Sequence, residues 1–334
     1  MREAFARFRR SYEFWLLLAI LAVCVVLSLT TDTFLTMQNL LDLLTTNAYT
    51  GILCAGLVVV LIAGGIDLSF AAVATVSQYI ALTVANAYPI GWVGTILIAC
   101  GVGTALGLIN AVVIYRFRMV ALIATIALLN VYFGLLIVFT RGEWIFQLPG
   151  WFTDGISLFT VTGENGYTYS LNLQILMLIA AFAGTWVLLG RTNIGRQIYA
   201  MGGNPDAAQR AGFNMFRLNL IIFGYLGLFA GLASVAEAQL ARSVMPNALI
   251  GKELDVLAAV VLGGASLNGG VGTAFGTFLG LTLISVMRNG MILAGVSSYW
   301  MQAVTGLVIV AAMSLTAIQV RRGQRVRGKV GAAA

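Results

Sequence analysis

The chain predicts an all-α polytopic membrane protein of about ten transmembrane helices, with broken helices at two glycine-rich sites. Three observations carry that prediction. Hydrophobic residues make up 60% of the 334 residues and charged residues only 9%, whereas a soluble chain of this length needs a far more polar surface. Apolar runs of bilayer length recur from end to end, with no soluble-length segment between them. The runs are unbroken rather than alternating, which excludes a membrane β-barrel.

Taken in order, the runs place spans at 14–31, 48–63, 69–87, 92–114, 119–139, 171–189, 219–240, 255–267, 272–292 and 299–319. The first follows a basic start, as a signal peptide would. It is long, however, and ends in Leu29-Thr30-Thr31-Asp32 without a small-x-small cleavage site, so it reads as a retained span. The runs 48–63 and 255–267 are short for a full crossing, and both lead into glycine pairs, the pattern of discontinuous helices. The expectation is one transmembrane domain over 1–334, with a polar loop at 190–218, a loop at 141–170 on the other side and a basic tail at 320–334.

Basic residues set the orientation. Ten crossings that start inside put both termini, the Arg116–Arg118 turn and the 190–218 loop in the cytosol. Those segments hold fifteen of the nineteen basic residues: Arg2, Arg7, Arg9 and Arg10; Arg116 and Arg118; Arg191, Arg196, Arg210 and Arg217; and the basic residues from Arg321 to Lys329. Arg141, Arg242 and Lys252 fall outside, and Arg288 lies within a late span with no obvious partner in sequence. The net charge of +7 therefore reflects membrane orientation and implies no nucleic-acid partner.

Several chemistries are missing. The chain has no histidine, which removes Ser–His and Cys–His catalysis and His-ligated metals. Its two lysines, Lys252 and Lys329, precede Glu253 and Val330, so no lysine precedes the Ser or Thr that a phosphate-cradling loop needs. No nucleophile–base set and no metal-ligand set is visible, so the chain reads as no enzyme. If ATP drives its work, another polypeptide binds it. Cys24, Cys54 and Cys100 fall within apolar spans and read as small buried hydrophobes. The carboxylates Asp32, Asp42, Glu143, Asp154, Glu164, Glu253 and Asp255 sit at span ends, Glu237 lies near the outer end of a span, and Asp67 alone is placed to lie deep. That poverty of deep ionisable groups weighs against the alternative reading, an ion-gradient-driven secondary carrier or channel for small polar solutes.

Gly64-Gly65-Ile66-Asp67-Leu68-Ser69 interrupts the second apolar run. Two glycines free the backbone and the polar residues can cap a new helix. One reading makes this a pathway wall presenting Asp67 to a polar solute; the other makes Asp67 only a helix cap. A second break, Gly263-Gly264-Ala265-Ser266-Leu267-Asn268-Gly269-Gly270-Val271-Gly272, resembles the first when Gly64-Gly65 is set against Gly263-Gly264. Gly103 with Gly107 likewise echoes Gly276 with Gly280 at a different offset. Matching interruptions in two halves point to a transport pathway, while small residues also serve tight helix packing. On the pathway reading Gly64, Gly65, Asp67, Ser69, Ser266 and Asn268 line the route. Asn110, Thr125 and Asn130 within spans fit interhelical hydrogen bonds better than solute contacts. Trp144, Trp151, Phe152, Tyr167 and Tyr169 fit interfacial anchoring or a docking surface for an external protein.

The polar island 195–212 carries its own short helix. Asn204 is a good N-cap, Pro205 suits the first helical position, Asp206 favours the positive end of the dipole and Gly212 suits the stop. A loop that only reconnects two spans needs no capped helix.

Three landmarks now stand in order: GGIDLS, GRQIYAMGGNPDAAQRAG and ELDVLAAVVLGGASLNGGVGT. Together they resemble the permease subunits of bacterial ribose-type ABC importers over residues 35–315. The resemblance implies a multi-pass inner-membrane subunit with both termini cytoplasmic, surrounded by membrane lipid. Its implied partners are a second permease subunit (identical or a sister), a cytoplasmic ABC ATPase and a periplasmic substrate-binding protein. The implied cargo is a sugar or sugar-like solute moved by alternating access, with ATP and Mg held by the ATPase and no cofactor or metal on this chain. It also implies that Gly195, Arg196, Gly203, Asn204, Asp206, Arg210 and Gly212 belong to the element that couples to the ATPase. Phe70-Ala71 replaces the usual Val-Gly after GGIDLS, and Asn268 stands where a bulkier apolar residue is common. The run from Thr140 to Pro149 looks closer to the autoinducer-2 and rhamnose branches than to ribose.

Overall fold

The computed structural model describes residues 12–162 and 168–297, and residues 299–301, 303, 304, 306, 307 and 310. Arg2, Arg7, Arg9, Arg10, Glu164, Tyr167, most of the expected 299–319 span and the 320–334 tail lie outside the described residues.

The long apolar runs fold as helices close to where the pattern puts them. α1 is Tyr12–Thr30, and α2 (Met37–Thr46) and α3 (Ala48–Ile62) meet at a 50° bend. α4 is Phe70–Ala87, α5 Gly91–Phe117, α6 Ala121–Thr140, and α7 the single turn Gly150–Thr153. A strand pair follows, β1 (Ser157–Thr162) antiparallel to β2 (Thr168–Asn172). Then come α8 (Leu173–Arg191), α9 (Asn193–Gly203), α10 (Pro205–Arg210), α11 (Met215–Ala241), α12 (Glu253–Leu262) and α13 (Ala274–Leu293).

Seven of these, α1, α4, α5, α6, α8, α11 and α13, are long and apolar enough to cross a membrane, and the bent α2–α3 pair makes eight. The expected span 255–267 is shorter than its apolar run: α12 has ten residues, about 15 Å at 1.5 Å per residue, half a hydrocarbon core. The all-α expectation is amended by the β1–β2 hairpin inside the 141–170 loop.

α3 is the central helix. Its residues from Gly51 to Ile62 are all buried, and α8, α11, α12 and α13 pack around it. The closest pair is α5 with α11. Ala99, Gly103 and Gly107 meet Gly231, Gly227 and Phe223 so tightly that a methyl group on any of these four glycines would overlap a facing backbone atom. Gly263 and Gly280 place α12 on α13 in the same way. The Gly103–Gly107 and Gly276–Gly280 echo is thus a packing echo: small residues let backbones approach where lipid gives no hydrophobic drive.

Three helices stop on left-handed arginines, Arg118, Arg141 and Arg242, with φ of 51°, 56° and 52°. Each puts a cation at a negative helix end. At the end of the molecule that holds β1–β2, Trp92 stacks on Phe152 at 4.8 Å and its indole N–H donates to Trp151 O at 3.1 Å. Phe152 is therefore a core residue, while Trp144 remains exposed. Arg288 finds a partner that local sequence did not reveal, Asp255 of α12 at 2.9 Å.

Candidate functional site

The two glycine-rich breaks end their helices alike. At the first, Gly64 N–H donates to Leu61 O at 2.9 Å and Gly65 N–H to Val60 O at 3.0 Å; at the second, Gly264 N–H donates to Val261 O at 2.9 Å and Ala265 N–H to Val260 O at 3.3 Å. Both are Schellman caps around a left-handed glycine, Gly64 at φ 85° and Gly264 at φ 92°. The structural equivalence is therefore Gly64 with Gly264, one residue off the pairing that matches glycine pair to glycine pair. Ala63 and Gly263 occupy the same C-cap position at ordinary φ of −70° and −71°. Gly263 is glycine for a different reason, its contact with Gly276.

Beyond the caps the breaks meet a third segment. Gly270 N–H donates to Ile62 O at 2.8 Å. The Tyr199 hydroxyl, on α9, donates to Gly272 O at 2.7 Å. Gly202, near the end of α9, packs against Ile62 O and Gly270 N so closely that a methyl group there would overlap both. A methyl at Gly269 would come within 2.7 Å of both Gly64 Cα and Gly202 O. Three backbone segments thus interlock, and only glycine fits at the contact points. Burial raises the Tyr199 phenol above its ordinary value, and the Glu13 charge adds to the effect.

α9 and α10 form the exposed side of this junction. Thr192 caps α9 by accepting from Gly195 N–H at 3.0 Å, and Gly195 is buried against the Leu188 and Leu189 backbone where α8 turns into α9. Ile198 is fully buried beneath α9. α10 begins as its residues predict: Asn204 Oδ1 accepts from Ala207 N–H at 2.9 Å, Pro205 opens the helix and Asp206 sits in its first turn. It closes on Gly212 at φ 87°. Arg196, Gly203, Asn204, Asp206, Arg210 and Gly212 are exposed, and the Arg196 guanidinium donates to Asn193 Oδ1.

Asp67 is a buried carboxylate at the first break. It is 2% exposed, and its Oδ1 accepts from Ser69 N–H at 2.7 Å and from the Ser69 hydroxyl at 2.6 Å. Asn110 of α5 donates to Asp67 Oδ2 at 3.3 Å and to Ser69 Oγ at 2.7 Å, while the Tyr132 hydroxyl of α6 donates to Asn110 Oδ1 at 2.8 Å. Thr125 of α6 completes the anchorage, accepting from Leu68 N–H at 3.2 Å. Asp67 thus bonds Ser69, the residue before α4, while Asn110 and Thr125 bond across helices. Asn130 differs, bonding Ile126 O on its own helix while staying exposed. In the second break Ser266 braces its own loop, accepting from Asn268 N–H at 3.2 Å, and Asn268 is exposed.

Residues 39–313 match the family described as branched-chain amino acid transport system / permease component. The chain belongs to that family. The permease is 32% identical over 297 residues to ribose import permease protein RbsC of Escherichia coli (strain K12), covering 89% of this chain and 91% of that protein. It is 35% identical over 301 residues to ribose import permease protein RbsC of Bacillus subtilis (strain 168), covering 89% and 90%. Galactose/methyl galactoside import permease protein MglC of Escherichia coli (strain K12) is 28% identical over 334 residues, covering 96% and 98%. No solved structure matches the permease.

The residues expected on a pathway, Gly64, Gly65, Asp67, Ser69, Ser266 and Asn268, lie in the loops gathered at the α9–α10 end of the permease. Sequence reasoning missed Tyr199, Gly202, Gly269 and Gly270 as the pieces that join them. The signal was present in Gly202-Gly203 and Gly269-Gly270, two further glycine pairs in polar surroundings.

Proposed function

We propose that this permease is the membrane subunit of an ATP-binding-cassette importer for a sugar or sugar-like solute, and that α9–α10 is its coupling element. Relatives named for ribose and galactose support the cargo class. The observation that carries the coupling role is the junction at Gly202. The exposed face bearing Gly203, Asn204, Asp206 and Arg210 continues without slack into both broken-helix loops. A partner that pushes on α10 therefore moves the ends of α3 and α12 together.

The bias of basic residues supports a cytosolic position for this end and for both termini, and on that reading the face lodges on an ATPase that holds ATP and Mg. On that topology α12 is a half-length descending segment. The 141–170 segment then faces a periplasmic binding protein. A second permease subunit completes the route, and alternating access follows from differential contact of the ATPase with the two states.

Gly203 supplies a clean test, because it is exposed and a Cβ added there meets nothing within 4 Å among the described residues. Gly203→Leu and Asp206→Lys are expected to leave insertion and thermal stability unchanged while abolishing substrate-stimulated ATPase activity in the reconstituted importer. Normal stimulation in both variants, or uptake by the permease alone without nucleotide, overturns the reading.

A further inference from the structure

We propose that the α12–α13 face carrying Asp255 and Arg288 is wetted, lining the solute route and offering a carboxylate and a guanidinium to sugar hydroxyls. The inference rests on the import function proposed above and adds to it the place where the solute meets this chain.

The pair lies within the thickness of the helical bundle. The Tyr12 hydroxyl at the start of α1 donates to Leu262 O at the end of α12, and Leu27 near the other end of α1 packs on Gly290 of α13. Asp255 stands about 10 Å along α12 from Leu262, and Arg288 about 21 Å along α13 from Ala274, at 1.5 Å per residue. Both therefore fall between the planes set by the two ends of α1. Their side chains are nevertheless each 30% exposed.

Hydrocarbon is a poor neighbour for that exposure. Arg288 has five N–H donors in a fixed fork, and Asp255 is its only polar partner among the described residues. Exposed charges at membrane depth face a water-filled cavity or the bundle interior.

A second observation comes from the same two helices. Only three buried side-chain polar atoms among the described residues lack a hydrogen-bond partner, and two of them are Glu253 Oε1 and Ser285 Oγ. Glu253 is 8% exposed and stands two residues before Asp255; Ser285 is 3% exposed and stands three before Arg288, on the same face of α13. Buried polar atoms are normally satisfied. Glu253, two residues from Asp255, points to another side of α12, so the face itself offers spare donors on Arg288 and spare acceptors on Asp255 and Ser285, a set that hydroxyl groups, which both donate and accept, match.

The test uses the assembled importer in membranes, with Cys24, Cys54 and Cys100 replaced by serine. Leu254→Cys leaves the ion pair intact at an exposed neighbour, and Asp255→Cys probes the pair itself. A charged, membrane-impermeant thiosulfonate is expected to label both variants at least tenfold faster than it labels the cysteine-free parent. Sugar-loaded binding protein plus ATP is expected to change that rate at least threefold. Arg288→Gln is expected to lower uptake at least tenfold, with Arg288→Lys retaining more. Labelling by a lipid-soluble maleimide only, or by neither reagent, overturns the proposal, as does full uptake by Arg288→Gln. If the cysteine-free parent imports sugar while these sites stay silent, the wetted face alone fails. If the wild-type assembly imports no sugar, the import reading fails first.

Discussion

The two glycine-rich breaks share one cap and one contact, at Gly202, and differ in the side chains that hold them. The first is tied by side chains. Asp67, Ser69, Asn110, Tyr132 and Thr125 bind it to α5 and α6 through a buried polar network. The second is tied by backbone and glycine. Its loop reaches Ile62, Gly64, Gly202 and the Tyr199 hydroxyl, while Asn268 and Val271 face outward. A network of specific hydrogen bonds fixes one geometry; a stack of glycines fixes closeness and leaves side-chain freedom outside it. α9 thus touches both breaks through Gly202, but the first is also bound into the α5–α6 frame by side chains, whereas the second loop is held by backbone contact with α9 and the first break.

Substitutions at the shared contact should erase the difference, with the largest effect. Gly202→Val puts a branched side chain into Ile62 O and Gly270 N, where both neighbours are backbone and cannot turn aside. Overpacking of this kind costs about 1–3 kcal/mol and sometimes more. The expected outcome is a marked fall in thermal midpoint of the detergent-solubilised permease together with loss of uptake. Wild-type stability would mean that the three segments are not in contact in the membrane.

Within the first break, Asp67→Ala removes the acceptor shared by Ser69 and Asn110 and leaves buried donors behind, at a cost of about 1–3 kcal/mol. The loss should show as reduced stability with coupling retained in the surviving protein. No comparable side chain exists in the second break, so Ser266→Ala is expected to change stability far less. Equal losses in the two variants would remove the distinction between frame and held loop.

α10 gives a smaller, local effect. Asn204→Ala deletes the bond to Ala207 N–H, worth about 1 kcal/mol for an N-cap. Because α10 is exposed and outside the packed core, the expected signature is faster amide exchange over 205–210 with the global midpoint nearly unchanged. Unaltered exchange would show that α10 is held by something other than its cap.

How much of this was legible follows from which forces wrote it. The long helices were, because an apolar run of bilayer length can do little else in lipid. So was the cap at Asn204, because its partner lies three residues away. α2 and α9 were not. α2 is a ten-residue helix of mixed polarity that stops one residue short of α3, and α9 starts two residues after α8 ends, so neither is set off by an apolar run. The one-residue error between the breaks has a similar cause. Glycine serves two unrelated purposes here, a positive φ at Gly64 and Gly264 and close approach at Gly263, and the letter is the same for both. The Arg288–Asp255 pair spans 33 residues, and nothing in either neighbourhood announces the other.

The smallest expected change sharpens the comparison most. Tyr199→Phe keeps the ring against its neighbours and removes one hydrogen bond, from the hydroxyl to Gly272 O, worth about 0.5–1.5 kcal/mol net. That bond is a side-chain tether from α9 to the second break, and no residue of α9 makes an equivalent bond to the first among the described residues. If α9 holds the second loop as a moving part, the variant should keep its fold and uptake while ATPase stimulation by substrate becomes weaker, measured on the reconstituted importer. Tyr132→Phe is the matched control, since it removes one hydroxyl bond from the first break's network, to Asn110 Oδ1 at 2.8 Å. It should shift the thermal midpoint by a similar amount and leave stimulation intact. Stimulation that falls equally in the two would mean that both breaks transmit alike, and that the difference in how they are held has no mechanical meaning.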